Sequence, residues 1–276
     1  MSLVSDRSQQ LRSVRSFFEE RNVLEVDCPA LITFPPLDKG IEVMQVEDLG
    51  YLHTSPEYAM KKLLAAGSGD IYYLGHVFRK GEHGRCHNPE FTMIEWYRIG
   101  MSYDAFIEET CALIMRILEQ ELPIKRVTYR EAFQTYAGFD PFVDPIPGDP
   151  SWDRDTRLDL ILCEKIEPHF EDLTVLYEYP ASQAALARTD GLVAERFEIY
   201  YKSVELANGY HELTDSQEQR RRFEIENLTR KIPYPLDDSL LAALDQLPDC
   251  CGVSVGFDRL MLLRRNSGYL SEVLVR

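Results

Sequence analysis

The stretch from Phe78 to Tyr97 reads F-R-K-G-E-H-G-R-C-H-N-P-E-F-T-M-I-E-W-Y. It sets two arginines, two histidines, an asparagine and three glutamates among aromatic residues. Both flanks are apolar enough to be strands. A cationic loop held between two strands suits a polyphosphate, because guanidinium forks meet phosphate oxygens in a fixed geometry. Side chains two apart on a strand share a face. The spacing therefore points Phe91, Met93, Glu95 and Tyr97 one way, and Glu90, Thr92, Ile94 and Trp96 the other. The first set combines an aromatic plane, a carboxylate and a phenol, which fits a nucleobase beside an amino-bearing substrate. Arg79, His87 and Asn88 stand next to it.

A second set of acids lies in E-I-Y-Y-K-S-V-E-L-A-N-G-Y-H-E, residues 198–212. A hairpin turning at Lys202-Ser203 places Tyr200 opposite Glu205 and Glu198 opposite Ala207. Glu198 and Glu205 are then diagonal neighbours on one face, roughly 7–8 Å apart at the backbone. Two carboxylates so placed repel unless a cation joins them, and a Mg²⁺ bridging nucleotide phosphates would do so. A turn at Asn208-Gly209 is the rival, pairing Glu205 with Glu212. The first arrangement is preferred, with Asn208-Gly209 as a bulge.

Two further segments carry chemistry. In C-G-V-S-V-G-F-D-R, residues 251–259, Gly252 and Gly256 allow close approach to the backbone, and Arg259 opens a helix whose N-terminus favours anions. In T-S-P-E-Y-A-M-K-K, residues 54–62, Ser55 and Pro56 start a helix with Glu57 in its first turn.

The elements that position these residues are mixed. Helices are expected over about residues 6–21 (capped by Ser5), 55–66, 103–120, 154–166, 216–228 and 258–265. Leu24 to Leu31 alternates like a strand interrupted by Pro29, and residues 41–53 read as a short hairpin. Strands are expected over 70–79, 90–98, 174–179, within 196–214 and at the G-V-S-V-G that precedes the last helix. Residues 139–153 are rich in proline and aspartate and read as a surface loop. There is no βαβ alternation, so the expected class is α+β with a mostly antiparallel sheet flanked by helices.

The chain has 276 residues, 45% hydrophobic, enough for one large core. No apolar run reaches the roughly 18 residues of a membrane span. The N-terminus is polar, so a cytoplasmic location is expected. The six cysteines show no C-x-x-C spacing, and a zinc site is not expected from them. A formal net charge of −16 repels phosphate backbones at long range, so stable nucleic-acid binding is not expected.

Together these segments resemble the ordered motifs of class II aminoacyl-tRNA synthetases. The lysyl subgroup fits best, through S-P-E-Y, H-N-P-E-F-T-M-I-E-W-Y and E-L-A-N-G-Y-H-E-L-T-D. Lysyl-tRNA synthetases carry an anticodon-binding domain ahead of this one. The resemblance here is to the truncated lysyl-type paralogues that modify elongation factor P, also through Y-P-A-S-Q-A-A-L-A and P-D-C-C-G-V-S-V-G. It implies a single class II synthetase-like catalytic domain over residues 1–276, without an anticodon-binding domain.

It also implies an ATP-dependent ligase that forms a lysyl or (R)-β-lysyl adenylate and passes the acyl group to a lysine of elongation factor P. Charging of tRNA and a catalytically silent regulatory paralogue are the alternatives. Implied roles follow position by position. Arg79 would bind the α-phosphate of ATP, and His87 and Arg259 the outer phosphates, with Asn88 beside them. Phe91 would stack on adenine, and Glu198 and Glu205 would hold Mg²⁺. Glu57, Tyr97 and Glu212 would surround the side-chain ammonium, while Glu95 and Asn208 contact the reacting end. Ser55 and Ser254 would complete the pocket. Pro29 matches the first motif's proline, which implies a homodimer. Two positions depart from the family pattern. Gly81 stands where R-x-E has its acid, with Glu82 next to it. Ser254 stands where lysyl-tRNA synthetases have glycine, which narrows the pocket and accords with β-lysine.

Overall fold

The protein is described here by a computed structural model covering residues 1–275. In chain order the strands are β1 (Leu24–Glu25), β2 (Leu31–Ile32), β3 (Met44–Val46), β4 (Gly50–Leu52), β5 (Ile71–Phe78), β6 (Glu90–Ile99), β7 (Ile124–Thr128), β8 (Leu173–Pro180), β9 (Val193–Tyr201), β10 (Val204–His211) and β11 (Cys250–Gly256). The helices are α1 (Leu3–Glu19), α2 (Glu57–Ala65), α3 (Tyr103–Leu118), α4 (Tyr129–Ala132), α5 (Arg154–Ile161), α6 (Ser216–Thr229), α7 (Asp238–Leu244) and α8 (Phe257–Arg264). Eight strands form one sheet in the order β1-β5-β6-β11-β10-β9-β8-β7, and β2-β4-β3 form a small second sheet. Only the outer pairs β1–β5 and β7–β8 of the large sheet are parallel. The class is α+β, as the pattern predicts.

The alternation on β6 decides which face of the sheet does what. Ile94 and Trp96 join the main core with Phe18 of α1, Phe106 and Ile114 of α3 and Leu260 of α8. Met93 and Tyr97 face the other way, toward Tyr58, Met60 and Leu64 of α2 and Leu241 of α7. A third cluster, around Tyr129, Phe133, Leu158 and Tyr179, supports the far end of the sheet.

The hairpin between β9 and β10 turns at Lys202-Ser203, with φ values of 49° and 60°. Two left-handed residues make the tight turn whose twist matches antiparallel strands. Tyr200 pairs with Glu205 as expected, but Glu198 pairs with Asn208 rather than Ala207. The register shifts between Glu205 and Ala207, so the bulge falls at Leu206 and not at Asn208-Gly209. This extra residue changes the parity of the strand. It brings Glu205 and Asn208, three apart in sequence, to the same face.

Other expectations needed adjustment. Helix α1 starts at Leu3 rather than after Ser5. The Ser2 hydroxyl accepts from the Ser5 amide at 3.2 Å, so Ser2 is the cap and Ser5 lies inside the first turn. The segment from Leu24 to Leu31 is not one strand. Its ends join different sheets, with Pro29 in the break between them. Helix α5 stops at Ile161 and residues 162–166 continue as a wider π turn. Strand β7 and helices α4 and α7 have no counterpart in the expected elements. Among the described residues no helix is long and apolar enough to cross a membrane.

Candidate active site

The loop between β5 and β6 and the start of α8 converge on a small cavity of about 110 Å³. Arg79, His87, Asn88, Phe91, Glu205 and Arg259 all line it. These are the six residues that the resemblance assigns to ATP. Arg259 is fixed from three sides. Its guanidinium donates to the Cys86 carbonyl at 3.2 Å, to the Glu205 carbonyl at 2.8 Å and to His87 Nε2 at 2.9 Å. It also pairs with the Glu205 carboxylate at 3.2 Å. Burial and the nearby Arg259 charge hold His87 below the usual histidine range. A neutral imidazole accepting at Nε2 carries its proton on Nδ1.

Arg79 is held more loosely. Its Nε lies 3.4 Å from the Thr54 carbonyl and its NH1 3.6 Å from Glu82. Its guanidinium sits 5.2 Å from the centre of the Phe91 ring. Glu82 lines the nucleotide cavity, so an acid does reach the region beside Gly81. Gly81 itself has φ +79°, a conformation that a glutamate would adopt only with strain. Helix α8 is locked to β6 by Asp258, which is buried. Asp258 accepts from Arg7 at 2.5 Å and from the Thr92 amide at 2.6 Å. Neither Arg7 nor Asp258 figures among the expected site residues. They orient Arg259 from behind, across a sequence separation of 251 residues that no local motif reveals.

A larger cavity of about 900 Å³ adjoins the first. Ser55, Glu57, Glu95, Tyr97, Asn208, Glu212 and Ser254 all line it. Arg79, Asn208 and Ser254 border both spaces and so mark where they meet. Glu95 accepts from Ser55 Oγ at 2.7 Å and from the Tyr97 hydroxyl at 3.0 Å. Burial, reinforced by the Glu57 charge, pushes the Glu95 carboxyl up to about 8. Gly252 sits under this group: a Cβ there would lie 2.3 Å from Glu212 Oε1 and 2.3 Å from the Tyr97 ring. Only glycine fits at that position. At Gly256 a Cβ would make ordinary contact with Arg259 at 3.5 Å, so no close approach requires a glycine there.

The carboxylate end contains a cation absent from the expected site residues. Lys61, 2% exposed, pairs with Glu57 at 2.7 Å and with Glu212 at 2.6 Å. Burial opposes its charge, but the two acids outweigh burial and raise its pKa. Burial likewise pushes Glu212 up to about 7 despite Lys61. The sequence signal was the i, i+4 spacing of Glu57 and Lys61 on one helix face. Glu57 and Glu212 are therefore already partnered. The second oxygen of Glu212, Oε1, is buried against Gly252.

The two acids expected to hold Mg²⁺ share a sheet face but differ in access. Glu205 opens onto the nucleotide cavity. Glu198 is buried and accepts from Arg196 at 2.5 Å, from Tyr179 at 2.5 Å and from Tyr200. Among the described residues no three acidic, histidine or cysteine side chains cluster as a metal cage. A magnesium ion carried by a nucleotide needs only one or two protein carboxylates, with phosphates and water supplying the rest. Glu205 fits that requirement. Glu198 would first have to give up part of its present hydrogen bonding.

Comparison with known proteins gives the family. Residues 1–275 match the family model for class II tRNA synthetases (D, K and N). The elongation factor P--(R)-beta-lysine ligase of Vibrio cholerae is 42% identical, over 99% of this chain and 94% of that protein. The proteins of the same name from Photorhabdus laumondii and Haemophilus ducreyi are each 43% identical, over 97% of this chain and 92% and 91% of theirs. With such a match along nearly its whole described length, this chain belongs to the class II tRNA synthetase family, in the branch of the elongation factor P--(R)-beta-lysine ligases.

Proposed function

We propose that this protein uses ATP to activate a lysine isomer, (R)-β-lysine foremost, and transfers it to a lysine side chain of elongation factor P. The observation that carries this reading is the junction of two unlike spaces. Arg79, His87, Arg259 and Phe91 are among the residues lining one, Glu57, Glu95 and Glu212 are among those lining the other, and Arg79, Asn208 and Ser254 border both. An amino acid carboxylate and the α-phosphate of ATP need such a meeting point. Reactions of this kind depend on positioning and on stabilising charge, not on an enzyme nucleophile.

In the first step a carboxylate oxygen attacks the α-phosphorus. The bond to the bridging oxygen of the β-phosphate breaks, and pyrophosphate leaves. Arg79 stabilises charge at the α-phosphate, while Arg259 and His87 hold the outer phosphates. Magnesium bound with the nucleotide would shield phosphate charge, held by Glu205 with Glu198 in reserve. In the second step the acceptor amine attacks the acyl carbonyl. An amide forms, the acyl–phosphate bond breaks, AMP leaves, and the amine loses its proton. Ser254 adds a side chain at the junction, which supports preference for an isomer whose amine is displaced from the carboxylate.

The decisive experiment supplies ATP, Mg²⁺ and α- or β-lysine, with elongation factor P and bulk tRNA competing as acceptors. A mass gain on the protein supports the reading. Label on RNA would support tRNA charging instead, and failure to form any adenylate would overturn both.

A proton count tests the pocket separately. In the empty site Glu95 and Glu212 sit near about 8 and about 7, so both are largely protonated at pH 6. A bound ammonium favours their ionised forms and lowers both values. Binding must then release protons, and affinity must rise with pH between 6 and 8 before levelling off. Calorimetry at pH 7 in buffers of different ionisation enthalpy should show that release. Binding with no proton exchange would remove these acids from the ammonium site.

A further inference from the structure

The loop between β2 and β3 carries an acid that the family motifs do not include. Asp38 lines the large cavity beside Glu57, Arg79 and Glu95. The backbone around it is pinned from three directions. The Leu37 amide donates to the Tyr58 hydroxyl of α2 at 3.0 Å. Arg230, following α6, donates to the Asp38 carbonyl at 2.7 Å. The Lys80 amide, beside Arg79, donates to the Glu42 carbonyl at 2.9 Å. None of these ties uses the Asp38 carboxylate, which makes no hydrogen bond or ion pair among the described residues. Burial and the Glu57 charge push this carboxyl up to about 6, while Arg79, Lys61 and Arg230 pull it down.

Charge accounting gives Asp38 a task. Of the eight acids that line the large cavity, four gather around Glu57: Asp38, Glu95, Glu212 and Glu57 itself. Lys61 takes two of them, Glu57 and Glu212. Glu95 and Asp38 are left without an internal lysine or arginine ion pair. A lysine isomer brings two ammonium groups. Glu95, which the resemblance sets at the reacting end, is instead buried, clasped by Ser55 and Tyr97 and grouped with Glu57 and Glu212, which suits the side-chain ammonium. Asp38 lines the same cavity with Arg79 as well as Glu57 within electrostatic range, and Arg79 borders the smaller cavity too.

We propose that Asp38 is a specificity residue that receives the substrate ammonium nearer the carboxylate, so that the loop carrying it selects diamino acids over chains with a terminal amine alone. This rests on the lysine-activating reading above. The isosteric Asp38→Asn variant removes the charge and leaves every backbone tie of the loop in place. Its amino-acid-dependent ATP–pyrophosphate exchange should be measured with (R)-β-lysine, α-lysine and 6-aminohexanoate, which lacks the second amine. A lost charge-assisted hydrogen bond should raise KM for the preferred diamino acid about ten- to a hundredfold. KM for 6-aminohexanoate should stay within about twofold on the same argument, since no partner is lost. Asp38→Ala should behave alike, and unchanged thermal midpoints would show that both variants are folded. An equal rise for all three compounds, or no rise for the diamino acids, overturns the assignment of Asp38 while leaving lysine activation standing. A wild-type protein that exchanges with none of them overturns the activation reading itself, and this inference with it.

Discussion

Replacing Arg79 by alanine should slow amino-acid-dependent ATP–pyrophosphate exchange by about two to three powers of ten, the loss expected when a preorganised oxyanion donor is removed. The prediction follows from where the guanidinium stands and how little else it does. Arg79 borders both cavities, so in the proposed reaction its charge would reach the α-phosphorus from the side of the amino acid carboxylate. Its contacts with Thr54 and Glu82 are long, at 3.4 and 3.6 Å, and its side chain is 22% exposed. Folding therefore gains little from it. The charge is available to a ligand and is not consumed by an internal partner. Arg259 is the opposite case, with its donors engaged by Cys86, Glu205 and His87. Arg79→Lys should recover only part of the lost rate, because an ammonium keeps the charge without the fork that engages two phosphate oxygens. Unchanged thermal midpoints beside the slowed exchange would place the effect in the chemistry. Exchange within about tenfold of wild type in the alanine variant, against the loss expected for such a donor, would take Arg79 out of the reaction.

How far the site can be read in the sequence depends on the range of the interactions involved. The period-2 pattern of β6 correctly separates the pocket face, with Glu95 and Tyr97, from the core face, with Ile94 and Trp96. The hairpin turn is legible because Lys202-Ser203 leaves Tyr200 opposite Glu205. The bulge at Leu206 is not, although it controls whether Glu205 and Asn208 look into the same space. Leu206 is 2% exposed and belongs to the main core. Its extra position answers to packing from distant elements, which a local turn rule does not contain. The partners of Glu198 are similar: Tyr200 is adjacent on the strand, but Tyr179 comes from β8. The motifs name the groups that face ligand. Lys61 and Asp258 stand inside the quoted strings with no role assigned, because their partners lie far off in sequence; Arg7 lies outside the motifs, as does Asp38, which arrives on a loop with no regular period. Helix α7 was legible in principle, since Asp237 caps L-L-A-A-L through the Leu240 amide at 3.0 Å.

Lys61→Met should destabilise the protein by about 3–5 kcal/mol at pH 8, the range for leaving buried charge without its partner. That is a large fraction of the roughly 5–15 kcal/mol that holds a typical domain together. Methionine fills most of the volume, so the loss comes from electrostatics and not from a cavity. Without the lysine, Glu57 and Glu212 face each other across a buried space with no cation between them. Glu212 must then hold a proton for the pocket to remain folded. Glu212 already sits up at about 7 with Lys61 present, and removing the lysine raises it further. An acid whose folded pKa exceeds its unfolded value makes the native state bind more protons, so stability falls as pH rises. The deficit should therefore be small near pH 5, where Glu212 is protonated, and should grow through pH 7 and 8. Denaturant melts of both proteins at pH 5 and pH 8 check the sign directly. A substrate ammonium can take part of the vacated role, so added (R)-β-lysine should raise the thermal midpoint of Lys61→Met more than that of wild type. Adding Glu212→Gln to Lys61→Met should recover part of the stability at pH 8, because a neutral amide needs no cation. Equal stabilities of wild type and Lys61→Met at pH 8 would mean that the two glutamates find other relief, and that the ion triad does not hold the pocket in shape.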